Sequence, residues 1–304
     1  MKENVKKKHA VLQVMVGLLL MAAVLPGCGL TMAQKKAVTD FTSATTVVGK
    51  TASAELANMR EEVISMNVYR VQLIGVTNDG PSLKKMDEQC TVEATAERQC
   101  ATEALKSYGE LLQALVETDQ TENIKKSSDA LVDSFKELPE KYQNISQEKL
   151  DAIGKALQAV GGIWVEWKKA EAVKTIVNNT SAQIAHLCDL LKDDFDPFVK
   201  SKFAAQYLNT AEILTREADE VISNPKKSFE ERTLAIAAFQ KAQENRLRRD
   251  KIVVPISASI GKIKDANNEL VKAVNSTEFT EKDIVALQKN LKILNDAIKV
   301  LAKK

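Results

Sequence analysis

The sequence has few of the residues that most catalytic and metal sites use. It contains two histidines and four cysteines in 304 residues, and beyond residue 27 the single histidine is His186. One histidine cannot supply a zinc site built from several histidines. Most serine or cysteine catalysis that uses a histidine base also needs further residues in a recognisable arrangement, and the sequence shows no such arrangement. We expect His186 to be a polar residue on the flank of a helix. The sequence therefore predicts no enzyme, no catalytic residues, no metal and no cofactor.

Turn-forming and aromatic residues are also scarce. The chain has 11 Gly, 6 Pro and 5% aromatic residues, which disfavours a large all-β protein, while 44% apolar and 28% charged residues exclude disorder. Residues 1–27 hold four lysines and one glutamate, so the remainder carries 39 of the 43 basic and 40 of the 41 acidic residues. Because nucleic-acid binding needs a concentrated basic surface, we expect no nucleic-acid partner.

The N-terminus has the pattern of an export signal. Lysines in the first eight residues precede an apolar run from Ala10 to Val24, which rises about 22 Å as a helix and is short of the roughly 30 Å hydrocarbon core. The run ends at Leu25-Pro26-Gly27-Cys28. These residues resemble the lipobox of bacterial lipoproteins.

That resemblance implies that residues 1–27 are a signal peptide and that Cys28 is acylated and becomes the new N-terminus. It also implies attachment to a membrane of the cell envelope through the lipid. Gly29 is not the aspartate associated with inner-membrane retention, so the expected location is the periplasmic face of the outer membrane. Ordinary secretory cleavage after Ala33 is the alternative.

Three cysteines remain once Cys28 is assigned to lipid. Cys90 and Cys100 are ten residues apart, and an oxidising compartment favours a disulfide between them. On one continuous helix they would lie about 15 Å apart, so the bridge requires the chain to turn back between them. The alternative is two unpaired thiols. Cys188, among Ile184, Leu187 and Leu191, is expected to be a buried free thiol.

The rest of the chain reads as helix. Apolar or small residues recur at steps of three and four from Val38 to Leu73, predicting a helix over about 33–76. Similar stripes predict helices from about residue 100 to 138, 146 to 195, 199 to 223 and 228 to 275, the last kinked at Pro255, and a final 280–301 seam. We predict an all-α fold, an elongated antiparallel bundle of long helices with coiled-coil-like packing. Residues 28–304 form a single domain, and a homo-oligomer through the C-terminal seam is an option.

Two features stand out as candidate binding surfaces. The 77–99 connection is long for an inter-helix loop and is predicted at the distal tip of the bundle. Its charged residues are the candidate partner-binding set: Lys84, Lys85, Asp87, Glu88, Glu93, Glu97 and Arg98. The two tryptophans, Trp164 and Trp167, form a candidate ligand face or membrane-interface contact, although both also continue an apolar stripe typical of core.

The sequence therefore favours a lipid-anchored envelope protein that acts without catalysis by contacting an unidentified envelope protein, as a scaffold, accessory subunit or inhibitor. One alternative is a periplasmic ligand- or carbohydrate-binding helical module that uses the tryptophans. Another is a helical pore-forming or membrane-remodelling protein that uses the apolar residues around Pro255.

Overall fold

The computed structural model describes residues 29–75, 85–117, 121–159, 166–199 and 202–276, together with positions 289, 292, 296 and 299. Four sequence predictions lie outside these residues: the signal peptide with Cys28, Lys84, Trp164 and the apolar residues of the C-terminal seam. Lys289, Lys292, Asp296 and Lys299 are helical and exposed.

The described residues are mostly helical and contain no strand, which confirms the predicted all-α class. The helices are α1 (Met32–Ile74), α2 (Val92–Glu117), α3 (Thr121–Lys136), α4 (Gln147–Ala159), α5 (Glu166–Asp194), α6 (Phe203–Ser223), α7 (Phe229–Arg248) and α8 (Val254–Asn275). A short 3-10 turn (Glu140–Tyr142) lies between α3 and α4, and a π segment (Arg249–Val253) joins α7 to α8.

Helix α1 is the axis of the bundle, because α2, α6, α7 and α8 all pack on it. Its 43 residues span about 64 Å. The α7–α8 rod runs antiparallel to it, since Gln34 Nε2 donates to the Ala273 carbonyl oxygen while Arg248 Nε donates to Glu55 Oε1. Helix α5 is antiparallel to α8, and α2 is antiparallel to α1. We call the end where α1 starts the N-terminal end, and the end near Gly75 and Phe229 the far end.

Side-chain caps start the two rods. Thr31 Oγ1 accepts a hydrogen bond from the Gln34 backbone N–H, and the Thr31 backbone N–H donates to Gln34 Oε1. The two bonds form a capping box at the start of α1. Ser228 and Glu231 form the same motif at α7, which begins where the sequence predicts a helix from about residue 228.

The π segment accommodates Pro255 within a continuing helix. Proline has no N–H and its ring crowds the preceding turn, so an α-helical path would be interrupted at this point. Here the Val254 N–H donates five residues back to the Arg249 carbonyl, and the helix continues through the widened turn. The predicted kink is thus a local π bulge in an otherwise continuous rod.

Close packing of α1 on α2 depends on two glycines. A Cβ on Gly49 would lie 2.9 Å from the Thr102 carbonyl oxygen, and one on Gly109 would lie 2.7 Å from Thr46 Oγ1. Hydrogen is therefore the only side chain that these positions accept without a shift of the helices. These two glycines bring the backbones of α1 and α2 together.

The predicted Cys90–Cys100 disulfide is wrong. Cys90, Cys100 and Cys188 are all free thiols. Helix α2 starts at Val92 and runs past Cys100, so the chain does not turn back as the bridge would require. Cys188 is buried and free, as predicted.

Candidate functional site

The described residues form a groove between α3 and α4. Helix α3 packs on α2 and α4 packs on α5, while α3 and α4 contact each other little. A gap of about 710 Å³ is left between them. The lining runs along α3 from Ile124 to Lys136, a rise of about 18 Å, which is the length of a short helix.

The floor of the groove is apolar and its rims are charged. The floor and inner walls include Ile124, Ser128 and Val132 from α3, and Leu150, Gly154 and Leu157 from α4. The rims carry three lysines and three aspartates, so their formal charge sums to zero: Lys125, Asp129, Asp133, Lys136, Asp151 and Lys155. An apolar floor between rims of both signs suits the apolar face of an amphipathic helix.

One end of the groove is closed by the α3–α4 connection, which α5 holds in place. Gln183 Nε2 donates to the Tyr142 carbonyl oxygen at 2.6 Å, and the Tyr142 hydroxyl donates to Asp194 Oδ2 at 2.7 Å. Burial and the neighbouring Asp194 carboxylate both raise the pKa of Tyr142. The Tyr142 hydroxyl therefore stays protonated and keeps donating well above neutral pH.

Gly154 leaves part of the groove empty. A Cβ built on this residue meets nothing within 4 Å, in contrast to the crowded positions of Gly49 and Gly109. Substitution at residue 154 therefore changes the shape of the groove and leaves the packing of the core intact. No sequence motif pointed to this groove, because the amphipathic patterns of α3 and α4 do not reveal that each packs on a different core helix.

The described candidate partner-binding residues, from Lys85 onward, do not extend beyond the far end. Residues 85–91 fold back along α1, where Arg60 Nη2 contacts Asp87 Oδ2 at 3.1 Å and Arg70 Nη1 contacts Glu88 Oε1 at 3.0 Å. Among the described residues, Gly75 and the α6–α7 turn lie at the far end.

Most of this set is engaged in contacts within the chain. Arg98 pairs with Asp194 at 2.9 Å and stacks over the Phe203 ring, and Glu97 pairs with Lys141. Lys85 and Glu93 are exposed. A hydrogen bond from its own backbone N–H at the start of α2, and a second from the Thr91 side chain, lower the pKa of Glu93.

Arg70 is the centre of a buried ionic network that the structure adds to this region. Its guanidinium donates to both carboxylate oxygens of Glu217 at 3.0 to 3.2 Å and to Asn67 Oδ1 at 3.0 Å. Arg70 and Glu217 are both buried. This network joins α1, α6 and the 85–91 segment, so Glu88, one of the predicted partner-binding residues, is engaged in the fold.

Trp167 does not belong to the core, contrary to the stripe on which it lies. It is 47% exposed in the first turn of α5, and Lys168 Nζ lies 5.7 Å from the centre of its ring. Glu166, next to it, lies against Gly29 at the N-terminal end. Trp167 is therefore a surface side chain close to the start of the described chain.

His186 and the apolar residues around Pro255 make contacts typical of structural residues. The imidazole Nε2 of His186 lies 2.9 Å from the Lys141 carbonyl oxygen. Around Pro255, the side chains of Val253, Ile256 and Ile260 are buried in the core. The described residues contain no cluster of three or more His, Cys, Asp or Glu arranged to hold a metal ion. None of the described helices is long and apolar enough to cross a membrane.

Comparison of the chain with protein-family models, with characterised proteins and with solved structures finds no match.

Proposed function

We propose that this protein is a lipid-anchored protein of the cell envelope, held at the periplasmic face of the outer membrane, that acts without catalysis by binding a partner protein in the α3–α4 groove. The groove is the observation that carries the partner-binding part of the proposal. The lipobox Leu25-Pro26-Gly27-Cys28 supports the anchoring part.

The start of the fold suits an anchor at Cys28. Thr31, three residues later, caps α1, and Leu30 already packs against the core. Few residues therefore separate the proposed lipid from the bundle, so the N-terminal end is held at the membrane. Confinement of this kind raises the effective concentration of the protein toward partners on the same surface.

The groove favours a helical partner over a small molecule. It is about as long as three helical turns, and it has apolar floor residues and rims of both signs. A partner helix would bury its apolar face against Val132, Leu150 and Leu157 and place charged residues along the rims. Such a contact needs no catalytic group.

Gly154 provides the test of the groove. Gly154→Trp fills the gap, whereas Gly154→Ala adds one methyl group and leaves the groove open. A photo-reactive amino acid in place of Val132 should give a specific adduct in intact cells, and the same probe in place of Asn209, exposed on α6, should not. Gly154→Trp should abolish the adduct, and Gly154→Ala should retain it.

The opposite pattern refutes groove binding. Equal adducts from positions 132 and 209, or an adduct that persists with Gly154→Trp, show that the groove is not the contact surface. Thermal unfolding of each variant controls for folding. Anchoring is tested separately, because Cys28→Ala should abolish incorporation of labelled palmitate and release the protein from the membrane fraction.

A further inference from the structure

The N-terminal end of the bundle exposes two large apolar side chains side by side. Met32, the first residue of α1, is 82% exposed, and Trp167, the second residue of α5, is 47% exposed. The two helices start next to each other, because Lys35 pairs with Glu166 and a Cβ on Gly29 would lie 3.2 Å from Glu166 Cβ. We call Met32 and Trp167, with the lysines around them, the N-terminal face.

The chain that precedes the structure leaves from this face. Cys28 is one peptide unit before Gly29, so its Cα lies about 3.8 Å from that of Gly29. The acyl chains proposed for Cys28 would therefore enter the bilayer beside Trp167. This places the N-terminal face within reach of the lipid headgroups.

We propose that the N-terminal face rests in the headgroup interface of the lipid bilayer, with Trp167 and Met32 inserted beside the acyl chains of Cys28. This inference rests on the proposed anchoring and adds a second membrane contact, made by the folded domain itself. An indole has an apolar body and a polar N–H, so tryptophan is favoured where hydrocarbon meets headgroups.

The charge around Trp167 and Met32 suits this surface. The first two turns of α1 and α5 contain four lysines and two glutamates, a balance of +2: Lys35, Lys36, Lys168, Lys169, Glu166 and Glu171. Three of these lysines reach the surface, whereas Lys169 is buried and pairs with Glu166, and Lys36 also pairs with Asp40 in the third turn of α1. Basic residues next to a membrane contact attract anionic headgroups. The chain as a whole is close to neutral beyond residue 27, so this local excess is not a property of the entire surface.

The contact also fixes the orientation of the bundle. With both α1 and α5 starting at the bilayer, the far end lies roughly 65 Å away along α1. Phe229 is 75% exposed at the start of α7, at that far end. It is the matched control, because it is a large exposed apolar residue that this orientation keeps out of the membrane.

Fluorescence quenching by brominated phospholipids measures the contact directly. The acylated full-length protein is placed in vesicles that contain anionic lipid, in a Trp164→Phe variant whose only indole is Trp167. Its emission should shift to shorter wavelength and be quenched by the brominated lipid. In a Trp164→Phe, Trp167→Phe, Phe229→Trp variant, the introduced indole should be neither shifted nor quenched.

Two results would overturn the inference and are distinguishable from failure of the anchor. Unquenched Trp167 in a protein that is acylated by mass and floats with the vesicles refutes the contact while the anchor stands. Equal quenching at positions 167 and 229 in such a protein shows a bundle lying flat, which refutes the end-on contact. Absence of acylation by mass refutes the anchor and the inference together.

Discussion

The close approach of α1 and α2 predicts opposite effects for two chemically identical substitutions. Gly49→Ala places a methyl group 2.9 Å from the Thr102 carbonyl oxygen and 3.2 Å from the Lys106 backbone nitrogen. Both contacts involve backbone, which yields only if the helices separate. Gly154→Ala, on the groove side of α4, meets nothing within 4 Å.

The two substitutions share one favourable contribution. Replacing glycine by alanine inside a helix stabilises it by about 1 kcal/mol, because the unfolded chain loses less freedom. Overpacking a close contact costs about 1 to 3 kcal/mol. Gly154→Ala should therefore raise the free energy of unfolding by about 0.5 to 1 kcal/mol, whereas Gly49→Ala should lower it by about 1 kcal/mol on balance.

Urea unfolding followed by far-UV circular dichroism measures both variants against the wild-type protein. The difference between the two alanine variants is the sharper quantity, because their propensity contributions cancel. A Gly49→Ala protein as stable as Gly154→Ala would refute the close approach of α1 and α2. Gly109→Ala, whose Cβ would lie 3.0 Å from the Thr42 carbonyl oxygen, provides a second test on the facing helix.

Three further predictions concern buried polar groups. Arg70→Met should lower the free energy of unfolding by about 3 kcal/mol, because it leaves Glu217 buried without its cation; Arg70→Met with Glu217→Leu should recover most of the loss in urea unfolding, and no recovery would contradict the pairing. In the native protein an alkylating reagent should modify Cys100 and spare Cys90 and Cys188, because the latter two are buried; modification of all three before unfolding would contradict the packing. Burial raises the pKa of Cys90 from 9.0 to about 12. It also raises the pKa values of Cys188, Tyr108, Tyr142 and Tyr207. These groups keep their protons in the folded state while the unfolded chain loses them, so the free energy of unfolding should fall as pH rises above about 9. Urea titrations at increasing pH measure this slope, and a constant stability would contradict the burial.

Local patterns predicted the first helix well, whereas the helices predicted over 100–138 and 146–195 are each two helices that pack on each other, α2 with α3 and α4 with α5. The 3.5-residue stripe placed the first helix at 33–76, and the structure has Met32–Ile74. The helix start predicted at about residue 228 agrees with α7, which begins at Phe229 after the N-cap Ser228. Both signals depend on side chains within a few residues of each other, which the sequence displays directly.

Long-range contacts explain what the sequence did not predict. The 85–91 segment folds back on α1, where Asp87 pairs with Arg60 and Glu88 pairs with Arg70. The periodicity of apolar residues does not predict such pairs. Helix α2 consequently starts at Val92 instead of near residue 100. Trp167 continues an apolar stripe, but it lies in the first turn of α5, where no neighbouring helix covers it enough to bury it.

The groove was hidden from the sequence for a similar reason. Leu150 and Leu157 lie on the apolar stripe of α4, a pattern typical of core, yet both face the gap toward α3. The packing of α3 on α2 and of α4 on α5 determines which side of each apolar stripe is covered by another helix. Only the assembled bundle shows that a cleft remains between them.

The intact mass of the protein extracted from membranes, with thiols alkylated after unfolding and without a reductant, tests the central claim most directly. We predict a chain that begins at Cys28, carries acyl chains and has three alkylated thiols at Cys90, Cys100 and Cys188. An unacylated chain that begins at Gln34, or one that retains residues 1–27, would contradict the lipid anchor. Two fewer alkylated thiols would contradict the free cysteines of the fold.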